Sequence, residues 1–120
     1  MKCVLIVDDN KLIRRSLRSL LQDNGWMVCG EAENGRDAIT KAQQLHPDRV
    51  ILDLAMPVMN GLEASRELKS LMSAVPILMF TLFSESELGR EAKAAGVDKV
   101  IAKSDSPAVL IRSIHGLLAA

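Results

Sequence analysis

The sequence predicts a doubly wound α/β domain in which five parallel strands, in the order 2-1-3-4-5, alternate with five helices. Two observations carry this. Short, almost unbroken apolar runs recur five times, and each is followed by a longer stretch in which apolar residues repeat at helical spacing. Strands buried on both faces read as continuous apolar runs, and parallel neighbours need crossover helices of one hand.

The first strand is Cys3–Val7, and the helix after it places Ile13, Leu17, Leu20 and Leu21 on one face before Asn24-Gly25 stops it. A second strand near Met27–Glu31 leads through Asn34-Gly35 into a helix with Ala38, Ile39, Ala42 and Leu45, ended by His46-Pro47. The third strand is Arg49–Asp53. Beyond the Met56–Gly61 loop, Leu62, Ser65, Leu68 and Met72 mark a third helix, and after Pro76 the run ILMFT ends the fourth strand at Thr81. Ser84 and Glu87 have capping-box spacing and open a helix that closes near Gly96, with Val97–Ala102 as fifth strand. Ser106 as N-cap and Pro107 at the first helical position start the last helix, whose apolar face is Leu110, Ile111, Ile114, Leu117 and Leu118. The strand order is that of flavodoxin-like sheets, whose ligands bind beyond the carboxyl ends of the strands, at the switch point between strands 1 and 3.

Composition narrows the function. The chain has 120 residues, enough for one core, and residues 1–120 read as one domain. Hydrophobic residues make up 48% and charged ones 25%, with zero net charge, which disfavours both disorder and nucleic-acid binding by this segment. The opening MKCVLIVDDN has a five-residue apolar run closed by two aspartates, which fits neither a signal peptide nor a membrane span, so a cytoplasmic protein is expected. Cys3 and Cys29 form no CxxC or Cys/His cluster and read as reduced core residues, with no metal or redox site implied. His46 and His115 are isolated and read as solvent-facing.

The chemistry gathers at one edge of the sheet. Asp8 and Asp9 follow strand 1, Asp53 ends strand 3, Thr81 ends strand 4 and Lys103 follows strand 5. Taken singly, these are ordinary helix caps, turn residues and surface charges; their convergence is what points to function. Carboxylates sharing a pocket repel by about 4 kcal/mol per pair at ~4 Å and an effective dielectric of ~20, so a cation must sit among them. Lys103 is one candidate and a divalent ion the other. All-oxygen ligands in an incomplete cage favour Mg2+ over zinc. Such a site suits phosphoryl transfer, in which the protein places a nucleophile and neutralises charge on the phosphoryl oxygens.

These residues also carry a resemblance. VDDN at 7–10, DLAMPVMNG at 53–61, Thr81 and Lys103 resemble the signature of bacterial response-regulator receiver domains over the whole chain. The resemblance implies that Asp53 is the phosphoacceptor, taking a phosphoryl group from a sensor histidine kinase. It implies further that Asp9 holds Mg2+ directly, Asp8 mostly through water, together with Asp53 and the backbone carbonyl of Ala55. Thr81, Lys103 and the backbone amide of Leu82 would contact the phosphoryl group. Signalling rather than enzymatic turnover is implied, through the face formed by helix 4, strand 5 and helix 5. The closing stretch is similar to receivers that precede a LuxR-type DNA-binding domain; no effector domain is read within these residues. An attached or partner DNA-binding effector, or a homodimer formed on phosphorylation, fits the family.

Two positions depart from the family pattern. Val100 stands where many receivers carry an aromatic rotamer switch, and Leu82 replaces a small residue, with bulk expected to narrow the pocket or restrain Thr81. Phe83 and Val100 are therefore candidate relay residues. Ser104 stands where many members have proline, and a trans Lys103–Ser104 bond is expected, since a non-prolyl cis bond costs roughly 2.5–4 kcal/mol. The fourth helix has few large apolar anchors, chiefly Leu88, and should be the least firmly held. Rival readings fare worse: a haloacid-dehalogenase-type phosphatase needs an acid where Ala55 stands, and a flavin carrier would have its phosphate repelled by Asp8 and Asp9. A stand-alone receiver or a degenerate, protein-binding scaffold remains as the alternative.

Overall fold

The computed structural model describes residues 2–117, so Leu118 lies outside the described residues. The elements run β1 (Cys3–Val7), α1 (Lys11–Asp23), β2 (Met27–Ala32), α2 (Gly35–Leu45), β3 (Arg49–Leu52), α3 (Gly61–Leu71), β4 (Ile77–Thr81), α4 (Glu85–Ala94), β5 (Lys99–Ala102) and α5 (Pro107–Gly116). The five strands form one parallel sheet in the order β2-β1-β3-β4-β5, as expected. Two apolar layers flank it. Val4, Ile6, Ile51, Leu78 and Ile101 pack against Leu17 and Leu21 of α1 and Leu110 and Ile114 of α5. On the other face Leu5, Val7, Val50, Leu52 and Met79 meet Ala38, Ile39, Ala64, Leu68, Leu88 and Ala92 from α2, α3 and α4. Alternate residues of each central strand thus feed opposite layers, as a period of two requires.

Three boundaries shift from the sequence reading, each for a local reason. β2 runs on to Ala32 because it keeps pairing with β1 as far as Val7. β3 ends at Leu52, although the Asp53 amide still donates to the Val7 carbonyl at 2.9 Å. β5 begins at Lys99 because the Val97 amide bonds back to Ala92 and so belongs to the end of α4. Gly25 takes a φ of 85° that stops α1 where Asn24-Gly25 was expected to. The Ser84/Glu87 capping box forms with both of its bonds, whereas Ser106 occupies its N-cap position without a side-chain cap.

The edge formed by the amino ends of the strands has its own buried charge. Arg49 is only 5% exposed and opens β3, the central strand. Its guanidinium donates to the carbonyls of Asp48, Ile114 and Leu117 and lies 5.7 Å from the Trp26 ring centre. Because Ile114 and Leu117 belong to the last turn and C-cap of α5, whose carbonyls have no partner within the helix, a buried cation there is well placed. His115 is exposed, yet its imidazole accepts the Trp26 indole N–H at 3.4 Å.

Candidate functional site: an acidic pocket at the carboxyl edge of the sheet

Asp8, Asp53, Thr81 and Lys103 all leave the carboxyl ends of neighbouring strands, and the sheet order brings them together. Asp8 is 1% exposed, Asp53 6% and Thr81 1%, while Asp9 is exposed at the rim. One carboxylate oxygen from each of Asp8, Asp9 and Asp53 can be chosen so that all three lie within 4.8 Å of one another. Lys103 reaches into this group, with Nζ 2.9 Å from Asp8 Oδ2 and 3.2 Å from Asp53 Oδ2. The backbone amide of Lys103 donates to the Thr81 carbonyl at 2.6 Å and ties the ends of β4 and β5 together. No peptide bond among the described residues is cis, and Lys103–Ser104 is trans as expected.

Loop chemistry fixes each carboxylate. Asp8 Oδ1 accepts the Asn10 amide at 2.9 Å, and Asn10 caps α1 by accepting from Leu12 and Ile13. Arg14, one turn into α1, donates to the Asp8 carbonyl at 2.6 Å and pairs with Glu31 at 3.0 Å. Arg18 joins the same Glu31 at 2.8 Å. Burial opposes the charge on Glu31, but the two arginines outweigh it and hold its carboxyl below the usual range. Asp53 Oδ1 accepts the Leu54 amide at 2.8 Å. Behind it, Gly61 opens α3 so close that a Cβ there would stand 2.1 Å from the Asp53 carbonyl oxygen, and only glycine fits. Val58, in the intervening loop, has a φ of 69° and is 79% exposed. A β-branched residue in that region is strained.

Electrostatically the pocket is short of positive charge. Three carboxylates against one ammonium leave two negative charges uncompensated. Burial and the neighbouring Asp8 charge push Asp53 above its ordinary range, although Lys103 and the Leu54 amide pull the other way. Burial works against the charge on Lys103, but Asp8 and Asp53 prevail and raise it. Asp8 Oδ2 is buried without a hydrogen-bond partner and has only the ion pair with Lys103. One ammonium shared by two buried carboxylates balances only one of their charges, so a further cation at the site would be stabilising. The donors are all hard oxygens, which fits a Mg2+-type ion and not a thiolate- or imidazole-seeking metal.

The residues flanking the switch positions are distributed less simply. Leu82 is 81% exposed and stands in solvent; the expected narrowing of the pocket is not found in this conformation, because the chain turns outward after Thr81. Phe83 is 44% exposed, whereas Val100 is buried in the layer beneath α4. α4 is held by Leu88 and Ala92, the sparse anchoring that its sequence implied. Sequence reading missed Asn10, Arg14 and Glu31; the signal available was an asparagine just before the helix and a basic residue one turn later.

A doubly wound sheet with a buried aspartate after its central strand, an acidic pair after its neighbour and a lysine after the last strand presents a hard-oxygen acidic pocket rather than a metal–thiolate site. The family model for the response regulator receiver domain matches residues 4–115, and the chain belongs to that family. It is 34% identical over 114 residues to the chemotaxis protein CheY of Thermotoga maritima, covering 95% of both chains. It is 36% identical to the transcriptional regulatory protein LnrK of Bacillus subtilis, covering 92% of this chain and 51% of that one. Among solved structures, a LuxR-family two-component response regulator from Aurantimonas superposes with a TM-score of 0.90 at 32% identity, covering 94% of this chain and 81% of the other. Vibrio cholerae CheY4 superposes at 0.88 with 37% identity, covering 98% and 99%. The chain is therefore a receiver of two-component signalling, a family that binds Mg2+ in an acidic pocket and works with histidine kinases and effectors. Among the described residues no helix is long and apolar enough to cross a membrane.

Proposed function

We propose that Asp53 accepts a phosphoryl group from the phosphohistidine of a sensor histidine kinase and holds it as a signal. The observation that supports this above all is the cluster of buried Asp8 and Asp53 with Asp9 at the rim, three carboxylates with Lys103 as their one near cation. In the transfer a carboxylate oxygen of Asp53 forms a bond to phosphorus while the phosphorus–nitrogen bond breaks, its electron pair remaining on the imidazole. Asp8, Asp9, Asp53 and the carbonyl of Ala55 would hold Mg2+, which when bound neutralises charge on the phosphoryl oxygens. Lys103 already pairs with Asp53 and is placed to follow its charge onto the new phosphoryl oxygens; Thr81 and the Leu82 amide supply hydrogen-bond donors from the next strand end. With Ala55 where an acid would be needed for hydrolysis, the acyl phosphate persists.

The signal leaves through α4. Movement of Thr81 toward the phosphoryl group draws on Phe83 and on the weakly anchored α4, changing the α4–β5–α5 face without an aromatic at Val100. The expected output is transcriptional, through an effector attached to or recruited by that face. Incubation with Mg2+ and a small phosphodonor, read by intact mass, tests the chemistry: one phosphoryl adduct is expected, absent in Asp53→Asn and without Mg2+. Mass is the suitable readout because Trp26 sits at the opposite edge of the sheet, beside Arg49. Amide exchange on the beryllofluoride-treated protein tests the relay; unchanged protection across 82–115 would sink it.

A further inference from the structure

Asp8 is gripped from β2 on both sides, by two consecutive residues at the end of that strand. Its amide donates to the Ala32 carbonyl at 3.0 Å. Its carbonyl accepts Arg14 Nη1 at 2.6 Å, and Arg14 Nε is anchored in turn on Glu31 Oε1 at 3.0 Å. The Arg14 side chain is only 14% exposed, and its planar fork serves both partners at once. The Asp8 carbonyl belongs to the same planar peptide unit as the Asp9 amide. Holding that oxygen restrains the torsions on either side of the unit, and with them the separation of the two carboxylates. Asp9 lies exposed at the rim, where backbone direction rather than packing aims its side chain. Arg18, one turn further along α1, donates to Glu31 Oε2 at 2.8 Å and, among the described residues, makes no bond to Asp8.

We propose that Arg14, braced by Glu31, is a positioning residue of the acidic pocket: it holds the Asp8–Asp9 peptide unit so that both carboxylates offer oxygens to one Mg2+. This rests on the reading of that pocket as a Mg2+ site, and it adds to that site two residues that touch no metal. Charge alone would act in the contrary direction. A cation close to the carboxylates competes with a metal ion, so removing it should tighten Mg2+ binding. Removing a brace loosens the ligand geometry and weakens binding; groups that orient metal ligands from behind account for roughly 10–100-fold in affinity. The two effects differ in sign, so one measurement separates them.

The test is the dissociation constant for Mg2+ alone, from titration calorimetry on the folded protein with no phosphodonor present. Arg14→Met should raise it about tenfold. Arg18→Met removes the same charge from the same Glu31 but leaves the Asp8 carbonyl bonded, and should stay near the parent value. Arg14→Lys keeps the charge and a good helix former, which guards against loss of the fold; lacking the fork, it cannot serve Asp8 and Glu31 together and should raise the constant by less than Arg14→Met. Urea denaturation in chelator reads stability separately: a merely structural arginine would lower the midpoint and leave the Mg2+ constant unchanged. An unchanged or lowered constant in Arg14→Met, or in Arg14→Lys should Arg14→Met not fold, would overturn the proposal. So would an equal rise in Arg18→Met, or a parent that binds no Mg2+. Intact mass after Mg2+ and a small phosphodonor keeps the two readings apart: a parent that binds Mg2+ yet gains no adduct counts against Asp53 as acceptor and not against Arg14.

Discussion

The two edges of the sheet each bury charge, and they treat it in opposite ways. At the amino edge Arg49 spends its donors on the carbonyls of Asp48, Ile114 and Leu117 and lies against Trp26. At the carboxyl edge Asp8 and Asp53 lie buried side by side with one lysine shared between them and Asp9 at the rim. In the first arrangement each guanidinium nitrogen has a carbonyl partner. The second is deficient in positive charge, an arrangement suited to a cationic ligand.

That contrast can be broken first at its stable end. Arg49→Met should cost about 3 kcal/mol in urea denaturation, since three buried or half-buried carbonyls lose a charged donor. A loss well under half of that would mean that the α5 end holds without its clasp. The acidic end should respond to Lys103→Met by about 2 kcal/mol in the presence of a chelator, because the carboxylates are left facing one another. Millimolar Mg2+ should recover most of this loss, whereas it should do nothing for Arg49→Met.

Removing the acceptor should have the opposite sign. Asp53 is raised by burial and by Asp8, so the folded state holds its proton to higher pH than the unfolded state does. Stability from this group therefore falls as pH rises from the ordinary aspartate range through the raised folded value. Asp53→Asn should stabilise the Mg2+-free protein at neutral pH by about 1–2 kcal/mol and flatten that descent. A variant less stable than the parent at pH 7 would show that the Lys103 pairing outweighs the repulsion. The smallest effect expected is at Val58, where Val58→Gly should gain about 1 kcal/mol by releasing the positive φ, measured as a shift in the urea midpoint.

The fold was legible in the sequence to the level of element order because its strands are continuous apolar runs and its helices carry clear faces and caps, such as Ser84 with Glu87 and Asn24 with Gly25. The acidic set was legible for a related reason. In a parallel sheet every strand delivers its following residue to one edge, so Asp8, Asp53, Thr81 and Lys103 could be placed by counting along each strand. What counting cannot supply is lateral distance and direction. That Lys103 bridges Asp8 and Asp53, that Leu82 points to solvent and that Arg14 buttresses the Asp8 carbonyl depend on how loops turn after the strands end.

The sequence by itself determined the sheet, its two apolar layers and the identity of the residues at its carboxyl edge, because these rest on periodicity and chain direction. Only the tertiary structure decided the rest. The register slip that leaves Cys29 unpaired between β1 and β2, the burial of Arg49 under the end of α5, and the approach of Gly61 to the Asp53 carbonyl all join residues from different elements. Such contacts are fixed by strand register and packing distance, which local residue patterns do not encode.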